Sequence, residues 1–232
     1  MQDIVVVKSL EQLRKLVYEC VKKMGPNCDL NFIDVSNLTD FFGVFSAPNH
    51  LFNGNISCWN ISNAEKMEFM FYGSRFNGDI SRWNVHKVKS MRSMFEHSDF
   101  NSDISLWDVS SVEIMDSMFA NSRFNGDISH WNVSSVESMV AMFSGADFNG
   151  DISSWDIKKN ASLDSMFSES LFSSDLSRWN PAKTNTMFDM FKDSVLEWDG
   201  RLPKWFRESE WKLDKSEDID ESSEGDIEDL PF

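Results

Sequence analysis

Basic residues, cysteines and export signals are all scarce in this 232-residue sequence, and each shortage removes a class of protein. Lys and Arg total 22 against 38 Asp and Glu, a net charge of −16, so a sheath of phosphate-binding cations is excluded and no direct contact with nucleic acid is expected. The three cysteines, Cys20, Cys28 and Cys58, are odd in number and lack zinc-like spacing, which argues against both a disulfide framework and a metal knuckle. No apolar run approaches the roughly 18 residues of a spanning helix, so no membrane partner is expected. Met1–Lys8 has no positive n-region and only the short apolar run Ile4-Val-Val-Val7, unlike a secretory signal. A reducing, cytoplasmic setting is the expectation. What remains, 41% hydrophobic and 26% charged residues, is ordinary for a globular chain of one large domain or two small ones.

Against these shortages stand 9 Trp, 20 Phe and 13 Met, and their positions are periodic. Phenylalanine recurs at Phe52, Phe76, Phe100, Phe124, Phe148 and Phe172, and tryptophan at Trp59, Trp83, Trp107, Trp131, Trp155 and Trp179, both in steps of 24. Ile56 to Leu176, Met67 to Met187, Met70 to Met190 and Phe71 to Phe191 keep the same step. Irregular rungs flank the array. Leu30 to Phe45 fits the template with two extra residues before Phe52, and Trp198 to Trp205 fits it again with an offset of two. Irregular ends on a regular array are the mark of capping repeats.

Within a rung, Ile80-x-x-Trp83-x-Val85-x-x-Val88 has the apolar spacing of a leucine-rich repeat, with Trp83 and Val85 alternating as on a strand. Val136, Met139, Met142 and Phe143 then fall on one helix face, and Ser134-x-x-Glu137, Ser110-x-x-Glu113 and Ser62-x-x-Glu65 read as capping boxes. The expected fold is therefore an α/β repeat solenoid, leucine-rich-repeat-like, with one short parallel strand and one short helix per 24-residue rung. Burying each large side chain contributes roughly 1.5–3 kcal/mol. Residues 1–27 are expected to form a helical N-terminal cap, with Ser9 and Gln12 opening a helix through Lys23. Its buried face would hold Leu10, Leu13, Val17, Cys20, Val21 and Met24, and Gly25-Pro26 would end it. The solenoid would cover 28–206, with Trp205, Phe206, Trp211 and Leu213 closing its far end. Residues 207–232 form an acidic tail, expected to be disordered, of which 217–232 carries −8.

The element at 124–143, Phe-Asn-Gly-Asp-Ile-Ser-His-Trp-Asn-Val-Ser-Ser-Val-Glu-Ser-Met-Val-Ala-Met-Phe, closely resembles repeats of BspA-like leucine-rich-repeat surface proteins of bacteria. It also resembles the related bacterial repeat known only as a domain of unknown function. The likeness covers about residues 28–205, and some eight of the 24 positions are fixed. The resemblance implies binding, with adhesion among the roles of surface members, and brings no catalytic residue with it.

The chemistry-bearing residues do not converge. Asp79, Asp103, Asp127, Asp151 and Asp175 form a column that either holds calcium between turns or accepts backbone N–H bonds in the Asn-Gly turns. Their neighbours supply few further metal ligands, which favours the turn. The serine column has no repeated base beside it, the four histidines are scattered, and no phosphate-cradling loop is present, so neither an enzyme nor a cofactor is expected. Function is expected where the repeat varies. The position before each Trp reads Cys58, Arg82, Leu106, His130, Ser154 and Arg178, and the one after reads Asn60, Asn84, Asp108, Asn132, Asp156 and Asn180; the candidate contacts are Arg82, Leu106, His130 and Arg178 with Asn84, Asp108, Asn132 and Asp156. In a leucine-rich solenoid these side chains line the concave strand face. The leading expectation is a monomeric, non-enzymatic module that binds a protein partner there. Two alternatives stand beside it: an acidic intracellular inhibitor or nucleic-acid mimic of the counter-defence type, blocking a basic groove on a nucleic-acid-binding protein, and a surface adhesin.

Overall fold

A computed structural model describes residues 3–157, 161–179 and 186–209. The columns of the repeat become ladders of stacked rings. Phe71, Phe95, Phe119, Phe143 and Phe167 succeed one another at centroid separations of 5.4, 5.7, 5.8 and 5.8 Å, with nearly parallel planes. Phe76 to Phe172 repeats at 6.2–6.3 Å. Trp59 and Trp83 stack at 6.5 Å, as do Trp155 and Trp179. These ladders, with the Ile and Met columns, form one contiguous core. The chain is thus a repeat structure of 24-residue period, with little regular secondary structure among the described residues. Its elements are β1 (Val5–Val6), α1 (Leu10–Met24), β2 (Ile33–Asp34), α2 (Val195–Trp198) and α3 (Lys204–Arg207), and β1 pairs in parallel with β2 in the register Val5 to Ile33.

The expected helix of each rung is absent from the described residues, and a backbone ladder takes its place. Amides of Met139, Ala141, Phe143 and Gly145 donate to the carbonyls of Ser162, Asp164, Met166 and Ser168 in the next rung at 2.8–2.9 Å. Between them, Met142, Ser144 and Ala146 close tight turns on Met139, Ala141 and Phe143. The pattern recurs rung by rung, with parallel bridges linking Asp40, Lys66, Ser90, Ile114, Ser138, Ser162 and Thr186 in sequence. Every second turn places a residue at left-handed φ: Ala141 at 54° and Gly145 at 62°, their equivalents Ser117 and Asn121 at 52° and 53°. The physical reason is spacing. An α-helix with its side chains is about 10–12 Å wide, whereas backbones joined by a β-type ladder lie about 4.8 Å apart. Helices stacked at that interval would overlap. The i, i+3, i+4 placement of Met139, Met142 and Phe143 is met equally well by consecutive tight turns, and all three side chains are buried. Ser134, Ser110 and Ser62 consequently cap no helix.

The expected strand is replaced as well. Trp83 N–H closes a turn on Ile80 (3.1 Å) and Val88 N–H closes another on Val85 (2.9 Å). Trp83 and Val85 still point inward, so the alternation was a signal of burial and not of sheet pairing. Ring separation grows across the rung, from 5.4–5.8 Å beside the backbone ladder to 6.5 Å at the tryptophans, so rungs fan outward from the hydrogen-bonded flank. Each tryptophan then crosses that wider gap. The Nε1–H of Trp107 donates to Ile80 O (3.1 Å), of Trp131 to Ile104 O (3.2 Å) and of Trp155 to Ile128 O (3.1 Å), always 27 residues back. At the two ends the same bond spans 29 residues, Trp59 to Leu30 and Trp205 to Leu176, which matches the two-residue offsets expected for the irregular rungs.

Ahead of the rungs, Ser9 Oγ caps α1 by accepting from Gln12 N–H (3.2 Å). Gln12 Oε1 in turn accepts from Lys8 N–H, one residue before the position a capping box uses. Leu13, Val17 and Cys20 are buried against the first rung, with Leu10, Leu16 and Val21 beside them. Met24, expected on that face, is 45% exposed. At the far end Trp205 stacks on Trp179 at 6.5 Å and Phe206 meets Phe191 edge-on at 4.9 Å. Of the acidic tail expected over 207–232, the first residues belong to the ordered end, Arg207 in α3 and Ser209 N–H bonded to Phe206 O; Trp211, Leu213 and the rest lie outside the described residues.

Candidate interaction surface

The tryptophan flank carries the predicted binding rows, and two Asx columns shape it. Asp79, Asp103, Asp127, Asp151 and Asp175 each accept from the backbone N–H of the serine two residues on, at 2.7–3.0 Å. The Ser81 hydroxyl also donates to Asp79 (2.7 Å) and Ser177 to Asp175 (3.0 Å). These bonds favour the charged form and hold all five carboxyls below the ordinary aspartate range; in the middle of the column, Asp103 feels its like-charged neighbours Asp79 and Asp127 as an opposing push. Each carboxylate is engaged by its own turn, which is the reading favoured over calcium. No group of three metal-ligating side chains occurs among the described residues.

The second column lies just past each tryptophan. Asn84 Oδ1 accepts from His86 N–H and contacts its Nδ1 (2.7 Å), Asp108 accepts from Ser110 N–H (3.1 Å), and Asn132 from Ser134 N–H (3.2 Å). Three of the predicted site residues are therefore holding the turn that presents the others. Asp156 is exposed in the same column. The row before the tryptophans is displayed outward: Arg82, Leu106, His130 and Arg178 are all exposed, Leu106 at 85%. Ser154 of that row donates to Ser129 O (2.9 Å) in the preceding rung. The electrostatic setting is mixed, because Arg82 lies within the field of Asp79, His130 of Asp127, and Arg178 of Asp151 and Asp175. The structure thus places the predicted residues on one turn-built flank, where a strand face was expected, and that flank is the more widely spaced one. An exposed row of varied side chains between fixed carboxylates can complement a protein surface; it assembles no nucleophile with a base.

Several structural positions stand outside the candidate rows although their signal is present in the sequence. Asn53, Asn77, Asn101, Asn125 and Asn149 form a ladder in which each Oδ1 accepts the backbone N–H at the same position of the next rung, at 2.7–2.9 Å. Ser74, Ser98, Ser122 and Ser170 are buried and bond the carbonyl three residues back in the last three cases. Both columns follow the 24-residue step, the serine column with Ala146 in place of one serine. The two extra residues before Phe52 build the corner Pro48–Asn49, which with Arg14, Lys15 and Tyr18 of α1 lines a cleft of about 660 Å³. Asn49 is buried there and its Nδ2 donates to Val44 O (2.9 Å) and Arg14 O (3.4 Å), tying α1 to the first rung. Burial pushes the Cys20 and Cys28 thiols up, which keeps them protonated packing groups.

No curated protein and no solved structure matches the chain significantly. Two overlapping stretches, residues 11–123 and 96–205, match a family described as Mycoplasma protein of unknown function, DUF285, and together they span most of the sequence. With the period, the stacked columns and this match in agreement, the chain belongs to the DUF285 repeat family.

Proposed function

We propose that this chain is a non-enzymatic repeat module that recognises a protein partner by stoichiometric binding, using the row Arg82, Leu106, His130 and Arg178. One observation carries the reading: at this exposed position the side chain changes from rung to rung in size and charge, while the Asx residues on both sides are tied to backbone. An exposed leucine in a row with two arginines is the mixture of apolar contact and charge that interface patches use. The likeness to BspA-like leucine-rich repeats supports binding as the role, with the difference that here the row stands on turns. Arg82→Glu, Arg178→Glu and Leu106→Asp are expected to weaken by tenfold or more, about 1.4 kcal/mol, the complex recovered from cognate lysate, while leaving the melting temperature in place. Unchanged affinity in all three variants overturns the assignment to this row.

A second reading has its own observation. Five outward aspartates stacked in a column and held ionised by their turns form a line of negative charge suited to a cationic groove. On that reading the chain is an acidic inhibitor, and paired Asp103→Asn and Asp127→Asn substitutions flatten the salt dependence of its complex. Binding that is salt-insensitive before and after the substitutions rejects it.

A further inference from the structure

The hydrogen-bonded flank breaks its own pattern at one place. The left-handed position of the ladder holds Gly43, Ser93, Ser117, Ala141, Ser165 and Asp189, all small or turn-forming, but in the second rung it holds Phe69 at φ 57°. A bulky residue in that region is a steric outlier, and small residues serve the fold at every equivalent position. The ring of Phe69 lies partly buried at the surface. It meets Phe42 of the first rung at 5.3 Å and Tyr72 of its own rung at 5.8 Å, and Tyr72 meets His97 of the third rung edge-on at 5.7 Å. Phe42 is 41% exposed and Tyr72 38%. The positions equivalent to Tyr72 in the next rungs are Glu96, Ala120, Ser144 and Ser168, so this row of rings across three rungs is not part of the repeat.

We infer that this aromatic row is a docking surface for a lysine- or arginine-bearing segment of a partner protein. Charge decides the occupant. Asp40, Glu68 and Glu96 border the rings: Asp40 Oδ1 accepts from Phe42 N–H (2.8 Å), Glu68 precedes Phe69, and Glu96 O accepts from Gly73 N–H (2.8 Å) next to Tyr72. Arg92 is held by Asp116 at 2.8 Å, and Lys66 with Arg14 of α1, whose guanidinium lies beside Gly43, stands against three carboxylates. Aromatic faces attract cations through their quadrupole and neighbouring acids add Coulomb attraction, so a cationic side chain gains from both. A neutral apolar segment gains nothing from the three acids, and an acidic one is repelled. The surface is separate from the Arg82–Arg178 row and stands or falls independently of it.

A fluorescein-labelled hexa-arginine peptide, titrated by anisotropy at about 0.15 M salt, tests the assignment, with the isosteric hexa-citrulline peptide as neutral control. Phe69→Ser installs the residue the ladder already carries in other rungs, and Tyr72→Ala alters an exposed position; neither changes the net charge. Each is expected to raise Kd about fivefold or more, while Asp147→Asn, at an exposed acid far along the array, leaves it unchanged and the citrulline peptide shows no saturable binding. An unchanged Kd in both aromatic variants, an equal loss in Asp147→Asn, or tight binding of the citrulline peptide overturns it. Self-association of the chain that vanishes in Phe69→Ser does the same, since a second copy would then be the occupant.

Discussion

Replacing Ala141 by glycine separates the turn ladder from a helix by the sign of its effect. In a helix interior, glycine is about 1 kcal/mol worse than alanine. Ala141 sits instead at φ 54°, where a Cβ crowds the following carbonyl at a cost of roughly 1–2 kcal/mol. Glycine removes that cost and returns about 0.4–1 kcal/mol through the greater freedom of the unfolded chain. The net is a stabilisation of about 0.5–1 kcal/mol, or a few degrees in melting temperature for a chain of this size.

The assay is thermal and urea unfolding followed by tryptophan fluorescence, since Trp107, Trp131 and Trp155 are buried reporters in adjacent rungs. Ala120→Gly is the paired control. Ala120 lies in the same turn series but outside the left-handed set, and it is buried. It therefore loses backbone restriction and a buried methyl with nothing gained, about 1 kcal/mol in total. Opposite shifts from the same chemical change at Ala141 and Ala120 are the expected result. A fall of about 1 kcal/mol at Ala141 refutes the ladder and restores the helix.

Trp131→Phe removes the Nε1–H donated to Ile104 O across the gap between rungs; that carbonyl keeps the backbone N–H of Trp107, so the loss is one hydrogen bond, about 0.5–1.5 kcal/mol, and a melting temperature within a degree of the parent would show that the bond is not made. Acid stability follows from the aspartate column. With folded-state pKa values depressed, the stabilising contribution is complete above the unfolded value of about 3.9 and is lost as pH falls through the folded values. Melting temperature should thus drop steeply below about pH 4, and less so in Asp103→Asn with Asp127→Asn, which keep the acceptors but cannot titrate. Identical pH profiles for parent and double variant would contradict it.

The parts of the molecule legible in the sequence are those fixed by burial, because a buried column must be refilled at every rung. Phe100, Trp107 and Met118 are fully or nearly buried and their periodicity alone located the core, the rungs and both two-residue offsets. What burial does not encode is the backbone path between inward-pointing residues. Met139, Met142 and Phe143 satisfy a helix and a series of tight turns alike, and the choice rests on the rung-to-rung distance, a property of the stack that no single rung contains. The one local trace was the small or polar residue at positions such as Ser117, Ala141 and Ser165, which a surface helix would also tolerate. The same limit governs the candidate site. Arg82 and Leu106 were visible as variation beside the constant Trp83 and Trp107, whereas Asn84 and Asp108 in the next column proved to be turn formers whose side chains serve the backbone. Phe42, Phe69 and Tyr72 come from different columns and stand 27 and 3 residues apart. Column-by-column comparison treats each as an isolated exception, and only the stacking of one rung on the next brings their rings together. In an array built from identical rungs, constancy therefore reports the core, and the surfaces capable of selecting a partner lie where departures from constancy in neighbouring rungs meet in space.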